Sequence, residues 1–367
     1  MRGKVYFIIV LMGFIFPIIL TPRTIILAND RYESNFRDRF FAVHFHDKDG
    51  WIVGDEGIIL FSQDRGKIWN QISIAWDQSF NDVTFIGNQG WIVGDEGIIL
   101  HTKDRGRHWK KQESRSRACL MAAFFLDERK GAAIGQQTVL WTEDGGIKWH
   151  PSLLDWETIL PEALIEKGVI SPNLYDLFFV NETHGWMVGD NGMVFFSGDG
   201  GRNWKVLRIG MYPPLYSVFF KDEREGFAAG QRGTLLHTED GGKSWHRLNS
   251  PTRMNLFNIK LKENYGVAAG DLGTILQSID GGKTWKCFPL ELRLPSPWFL
   301  DTSFLASNSA WKVICVGEGI IREISFPLAS VEGRGMVNKA RPDTAIKDMN
   351  KPNRIQILKS KYQVDYK

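Results

Sequence analysis

From about Phe40 to Ile324, short apolar runs recur in groups of four, each set off by Gly, Asp or Asn. In the clearest copy the runs are DVTFI from Asp82, GWIV from Gly90, GIILHT from Gly97, and the stretch from Trp109 onward. The pieces are rich in β-branched and aromatic residues and too short for helices. They predict four antiparallel strands, A to D, joined by hairpins. The group repeats. GWIVGDEGIIL occupies both Gly50–Leu60 and Gly90–Leu100, an offset of 90 − 50 = 40 residues.

A second signature, [ST]-x-D-x-G-x-x-W, closes each unit and occurs six times. Its aspartates are Asp64, Asp104, Asp144, Asp199, Asp240 and Asp280, and its tryptophans Trp69, Trp109, Trp149, Trp204, Trp245 and Trp285. A short carboxylate can accept backbone N–H groups of its own turn, and the following Gly permits a left-handed bend. The Trp is expected to fold back over the sheet. Six equal copies argue for architecture, because a catalytic group is needed once and in one place. Between strands B and C, Gly54-Asp-Glu-Gly57 and its equivalents place glycines where a tight hairpin needs positive φ. The third copy, Gly135-Gln-Gln-Thr138, lacks the second glycine and requires another turn.

A four-stranded unit of about 40 residues is the size of a propeller blade. Counting B–C signatures gives seven, the last being VICVGEGII from Val313, where the Asp motif is absent. The expected fold is therefore all-β, a seven-bladed propeller over residues 39–325 with Asp-box turns. The closing edge strand would come from Tyr32–Asp38 or from Arg354–Tyr366. One step departs from the period. Some 15 extra residues fall at 150–172, in a connection from strand D to the next strand A. Trp156 and its apolar neighbours there are expected either to meet a partner or to pack on their own blade.

Composition narrows the function. The 367 residues carry 45 Lys+Arg against 42 Asp+Glu, a net charge of +3. That is too even for a dedicated nucleic-acid binder. No Gly-rich phosphate loop opens a helix and no HExxH pairing occurs, so neither a cofactor nor a metal is expected. Cys119, Cys287 and Cys315 show no CxxC spacing and are expected to be buried thiols, with a Cys287–Cys315 bridge as the oxidised alternative. Residues 1–28 read as an export signal. Arg2 and Lys4 precede an apolar Val5–Leu20, with cleavage after Ala28 or retention as a membrane anchor. The body would then lie in the periplasm or another extracytoplasmic space. The tail, 327–367, has 9 Lys+Arg against 4 Asp+Glu and is expected to be partly flexible.

The six Asp-boxes at near-constant spacing, each preceded by a strand–turn pattern of the GWxVGDxG type, make the chain resemble the photosystem II stability/assembly factor family. That family belongs to the wider group of bacterial-neuraminidase-type (BNR) repeat propellers. The resemblance implies an exported, non-catalytic monomer that binds a protein partner, a membrane complex or its subunits. It further implies an arginine-bearing client surface. Here Arg115, Arg117, Arg208, Arg253 and Arg293 all lie in or beside D-to-A connections, on the face expected to carry the 150–172 insertion. The alternative is a sialidase-like propeller that acts on or binds glycans. Its tyrosine nucleophile would have to come from residues such as Tyr175 or Tyr216. A cell-surface adhesion module is a third reading with the same fold.

Overall fold

The computed structural model describes residues 37–327, except 153, 161, 167–171, 209–212, 291–296 and 306–309. Seven antiparallel sheets follow one another along the chain. The strand A segments are Phe40–His46, Phe80–Ile86, Leu120–Phe125, Leu174–Phe179, Leu215–Phe220, Leu256–Lys262 and Phe299–Leu305 in blades 1 to 7. Blades 1 to 6 have four strands in simple up-and-down order; blade 7 shows three among the described residues. This is the expected seven-bladed propeller. The N-terminal export segment, the tail beyond Pro327 and the Arg354–Tyr366 candidate for the closing strand lie outside the described residues. Of Tyr32–Asp38, only Arg37 and Asp38 are described. The Asp38 carbonyl accepts the Gly319 N–H of blade 7 at 2.6 Å.

The core is divided among the blade interfaces. Seven clusters of buried side chains occur, and each joins two neighbouring blades. One of them packs Phe40, Val43 and Ile52 of blade 1 against Leu305, Ile314 and Val316 of blade 7, which closes the ring. Strand B, sandwiched on both sides, is buried along its whole length in blades 1 and 3 to 6, at Asp49–Gly54, Gly131–Gly135, Gly185–Gly189, Gly226–Gly230 and Tyr265–Gly270. Its Gly-Trp start has a specific use. Trp51, Trp91 and Trp186 stack on Phe85, Phe125 and Phe220 of the following blade, with ring centroids 3.6, 3.6 and 3.7 Å apart. Their indole N–H groups donate to the carbonyls of Arg105, Gly145 and Gly241 in that blade's C–D turn.

The B–C turns revise the expectation for their glycines. Gly57 has φ +69, but the residue before it, Glu56, is also left-handed at φ 52. The first glycine, Gly54, is extended at φ −171. It is glycine for want of space, since a Cβ there would lie 1.9 Å from the Arg39 carbonyl oxygen. In the third blade Gln137 alone takes the left-handed position, at φ 56, and Gly135 pairs directly with Thr138.

Two other expectations are corrected or resolved. All three cysteines are free: Cys315 is buried, Cys119 is half-buried and Cys287 is exposed, so neither uniform burial nor the Cys287–Cys315 bridge holds. The described part of the insertion forms two short helices, Trp156–Ile159 and Glu162–Ile165. It packs on its own blade. Leu154, Trp156, Ile159 and Leu160 lie against the core between blades 3 and 4, and Trp156 meets Phe195 edge-on at 6.0 Å.

Candidate functional site

Strand A of every blade lines the axial channel, which encloses about 330 Å³. In all seven blades the A–B register shifts just before the third residue of this strand, at Ala42, Asp82, Ala122, Asp176, Ser217, Asn258 and Asp301. These side chains form a belt that ties blades together. Asp82 accepts the N–H of Val83 in its own strand and that of Ala123 in the next blade, both at 2.8 Å. Asp176 does the same with Leu177 at 2.8 Å and Val218 at 2.9 Å. Each of these aspartates follows a blade whose belt residue is alanine, so one carboxylate serves two N–H groups where its neighbour serves none. Ser217 accepts from Ile259 at 3.2 Å, and Asn258 accepts the Thr302 hydroxyl at 2.7 Å. Asp301 closes the circle by accepting the Val43 N–H of blade 1 at 2.9 Å.

Lys260 is the ammonium in this belt, donating to Asp301 at 2.7 Å and to the Thr302 carbonyl at 2.6 Å. Burial alone would lower its pKa, but the Asp301 carboxylate raises it, so it stays charged. Burial pushes Asp82 up to about 7 and Asp176 up to about 6, against the opposing effect of their backbone hydrogen bonds. His44, also lining the channel, is pushed down to about 3 by burial and is neutral.

This geometry weighs against glycoside chemistry. A glycosidase needs two carboxyl groups that are free to face a scissile bond. Here Asp176 takes the Leu177 and Val218 N–H groups and the Ser217 hydroxyl, and Asp301 takes the Val43 N–H, the Asn258 amide and Lys260. Of the three only Asp82 keeps a lone pair on both oxygens, so no free pair of carboxyl groups is available. The tyrosine alternative fares no better. Tyr175 donates its hydroxyl to Asp190 at 2.8 Å, and burial with that hydrogen bond pushes its pKa above the ordinary phenol value. A nucleophile requires the opposite shift.

The six Asp-motif turns are built as the sequence suggests. Asp64 accepts the N–H groups of Lys67 at 3.0 Å and Ile68 at 2.9 Å, while the Ser62 hydroxyl donates to Asp64 and accepts from Gly66. Asp104, Asp144, Asp199, Asp240 and Asp280 each take the same hydroxyl and the N–H four residues on. At Asp240 burial opposes ionisation, but hydrogen bonds from Ser244 and Thr238 outweigh it and hold the carboxyl at about 2. Trp69, Trp109, Trp149, Trp204, Trp245 and Trp285 are all buried.

The D-to-A connections share a face with the B–C turns, as expected. Gly57 donates to the Gln78 carbonyl, Ser114 to that of Gly97, and Gly273 to that of Pro297. Arg115, Arg117 and Arg253 are exposed on this face. Arg208 ends strand D of blade 4 opposite Val194, and Arg293 lies outside the described residues. Arg253 is brought beside other arginines. With Arg232 and Arg247 it lines a recess of about 450 Å³ on blade 5, together with Ser250 and Thr252 and no carboxylate. Sequence reasoning missed Arg232 and Arg247. The available signal was Arg232 itself, which takes the left-handed B–C position where Glu56, Glu96 and Asn191 stand in other blades.

Fold and channel together define a BNR-type β-propeller whose repeated aspartates serve structure. A family profile described as photosynthesis system II assembly factor YCF48 matches residues 33–118, 162–255 and 204–310, more than half of the chain. The chain belongs to that family. Among individual relatives, the Arabidopsis thaliana chloroplastic photosystem II stability/assembly factor HCF136 is 37% identical over 65 residues, 18% of this chain and 15% of that protein. A YCF48 bound to D1 peptide superposes with TM-score 0.64 at 19% identity, covering 83% of this chain and 97% of that one. A xyloglucanase of glycoside hydrolase family 74 from Xanthomonas campestris gives 0.63 at 11% identity, covering 81% and 53%. At such identities these superpositions speak for the fold alone.

Proposed function

We propose that the protein is an exported, non-catalytic scaffold that holds a polypeptide client during assembly or stabilisation of a membrane protein complex. Membership of the assembly-factor family carries this reading. A YCF48 bound to D1 peptide supports a polypeptide as the client's chemical class. The contact surface is the face of the B–C turns and D-to-A connections, with Arg115, Arg117, Arg208, Arg253 and Arg293 as the client-binding arginines. Trp156 supports that face through the insertion. The recess formed by Arg232, Arg247 and Arg253 is suited to a carboxylate, because guanidinium groups bind carboxylates bidentately and this recess holds no competing anion. Residues 1–28 supply the export signal or anchor, and no helix of the described residues is long and apolar enough to cross a membrane.

The test is an affinity pull-down of the tagged protein from solubilised membranes, wild type against Arg117→Glu/Arg208→Glu/Arg253→Glu. Capture of a membrane complex or its subunits by wild type, lost in the variant, supports the reading. Absence of a protein partner together with retention on a glycan array overturns it in favour of the carbohydrate reading.

A further inference from the structure

The mouth of the axial channel, beside the B–C turns, is not lined like the rest of that face. The second residues of the strand A segments ring it. On blades 4 to 6 they are Tyr175, Tyr216 and Phe257, all half-buried. Tyr175 and Tyr216 meet edge-on with centroids 5.2 Å apart, and Tyr216 and Phe257 are tilted at 5.4 Å. The three rings form a faceted wall. The Asp190 carboxylate, which takes the Tyr175 hydroxyl, stands at one end of the wall. Burial raises the Tyr216 phenol pKa, and the carboxylates of Asp190 and of Asp271, in the B–C turn of blade 6, raise it further.

Below the wall lies the belt, where Asp82, Asp176 and Asp301 face one ammonium, Lys260, already held by Asp301. Asp176 Oδ2 is filled by the Val218 N–H and by the Ser217 hydroxyl at 2.8 Å, whereas each oxygen of Asp82 accepts a single N–H and retains a second lone pair. An aromatic wall leading to under-compensated carboxylates suits a cation carried on an apolar stem. It does not suit an anion or a neutral apolar group, which would leave the buried charge as it is.

The rim indicates where that cation comes from. Leu272, next to Asp271, is 64% exposed while held at φ 51, and Met254 of the adjoining connection is 38% exposed. Asp271 donates its N–H to the Asn255 carbonyl at 3.0 Å, which joins the turn carrying Leu272 to the connection carrying Met254. A small free ion inside the channel would leave both uncovered, whereas a chain lying across the face would cover them.

We propose that the channel mouth is a receptor for one lysine side chain of a partner polypeptide, its alkyl stem against Tyr175, Tyr216 and Phe257 and its ammonium directed at Asp82. The inference deepens the client-binding reading and rests on it, but it uses different residues from the arginine surface.

The experiment is calorimetric titration of the full chain with an acetylated, amidated Leu-Gly-Lys-Gly-Leu peptide, its norleucine counterpart and free butylammonium. The lysine peptide is expected to bind about tenfold or more tightly than the norleucine peptide, which keeps the stem and lacks the charge. Butylammonium should bind more weakly than the peptide. Phe257→Leu and Tyr216→Leu, which keep bulk and lose the π face, should weaken the lysine peptide by about tenfold with melting temperature unchanged. Saturation transfer to the lysine ε-methylene protons reports the contact in wild type, whatever the variants do. Equal affinity for the lysine and norleucine peptides, or no binding at millimolar peptide, overturns the proposal. Butylammonium as tight as the peptide overturns the polypeptide source. If the pull-down captures a client while the lysine preference is absent, this inference alone fails. If the lysine preference holds while no client is captured, the assembly reading alone fails.

Discussion

The two faces of the propeller use their charges in opposite ways. On the face of A–B hairpins and C–D turns, polar groups reach across to the neighbouring blade. Lys130 pairs with Glu182, Arg202 with Glu143, and Arg105 with Asp49 at 3.2 Å. Lys221 donates to the Gly281 carbonyl at 2.7 Å, and Asn181 to Glu223 at 2.7 Å. On the other face Arg39 pairs with Asp55 of the blade 1 B–C turn at 3.6 Å, but Arg115, Arg117, Arg232, Arg247 and Arg253 make no ion pair with the described residues. An arginine engaged by its own fold must give up that contact to take a partner; one left in water gives up only hydration. The difference separates a face that holds the ring together from a face available for binding.

The tied face is broken most severely through Trp91. Its ring is fully buried on Phe125, and its N–H bonds to the C–D turn of blade 3. Trp91→Ala is expected to cost about 3–5 kcal/mol, read by denaturant unfolding. The belt between the faces comes next. Asp176→Ala orphans the N–H groups of Leu177 and Val218, each worth about 1–3 kcal/mol when buried without a partner. A loss well under 1 kcal/mol would show that water replaces the carboxylate and that the belt is not a tie.

These two sites also mark what the sequence could disclose. Blade number, strand order and the Asp-motif turns were legible because six of the seven blades spell them with the same Gly, Asp and Trp, at a near-constant offset broken only by the 150–172 insertion. The belt was not legible. Its residues are Ala, Asp, Ala, Asp, Ser, Asn and Asp, and the logic relates each blade to the next instead of repeating within blades. The arginine recess was half legible: Arg253 lies in a D-to-A connection, but Arg232 and Arg247 belong to other elements that only the folded blade places beside it. The first glycine of the B–C turn was read for the wrong freedom, because a collision with the Arg39 carbonyl lies 15 residues back in the chain and leaves no local mark.

Protonation sharpens the contrast between belt and turns. Asp82 and Asp176 have folded pKa values raised above those of the unfolded chain. Their contribution is fully present at the acid end, below the unfolded value of 3.8, and is lost as pH rises through about 6 and 7. Asp240 is depressed, so its contribution is present above 3.8 and is lost as pH falls through about 2. Unfolding free energy measured against pH should therefore rise from pH 2 to 4. Between pH 4 and 7 the loss from Asp82 and Asp176 is opposed by His44 and His101, which burial holds down to about 3 and about 4 and whose unfolded forms take up protons below 6.5. Asp82→Asn is expected to make the curve climb more steeply between pH 4 and 7, and Asp240→Asn to make it shallower below 4. An Asp82→Asn variant with an unchanged slope between pH 4 and 7 would remove Asp82 from that balance.

The free face is expected to respond in binding and not in stability. Arg232→Ala/Arg247→Ala should leave unfolding within about 0.5 kcal/mol of wild type, as is usual for exposed side chains. It should nevertheless weaken client capture by about tenfold or more, the scale of losing a charge-assisted arginine–carboxylate contact. Capture at wild-type level would move the contact away from the blade 5 recess and onto Arg115 and Arg117.

The smallest effect is the one that best separates the faces. Arg202 lies on the tied face, pairs with Glu143 and also rests over the Trp141 ring at 5.4 Å. It is about half-exposed, so the ion pair is screened, and Arg202→Ala should cost no more than about 1 kcal/mol. Because the contact is made within the protein, client capture should be unchanged. Arg202 thus controls for Arg253, an arginine of the same charge on the opposite side whose removal should do the reverse. If Arg202→Ala weakens capture as much as Arg253→Ala, the division of labour between the faces fails, and the client must engage the side whose charges are already paired.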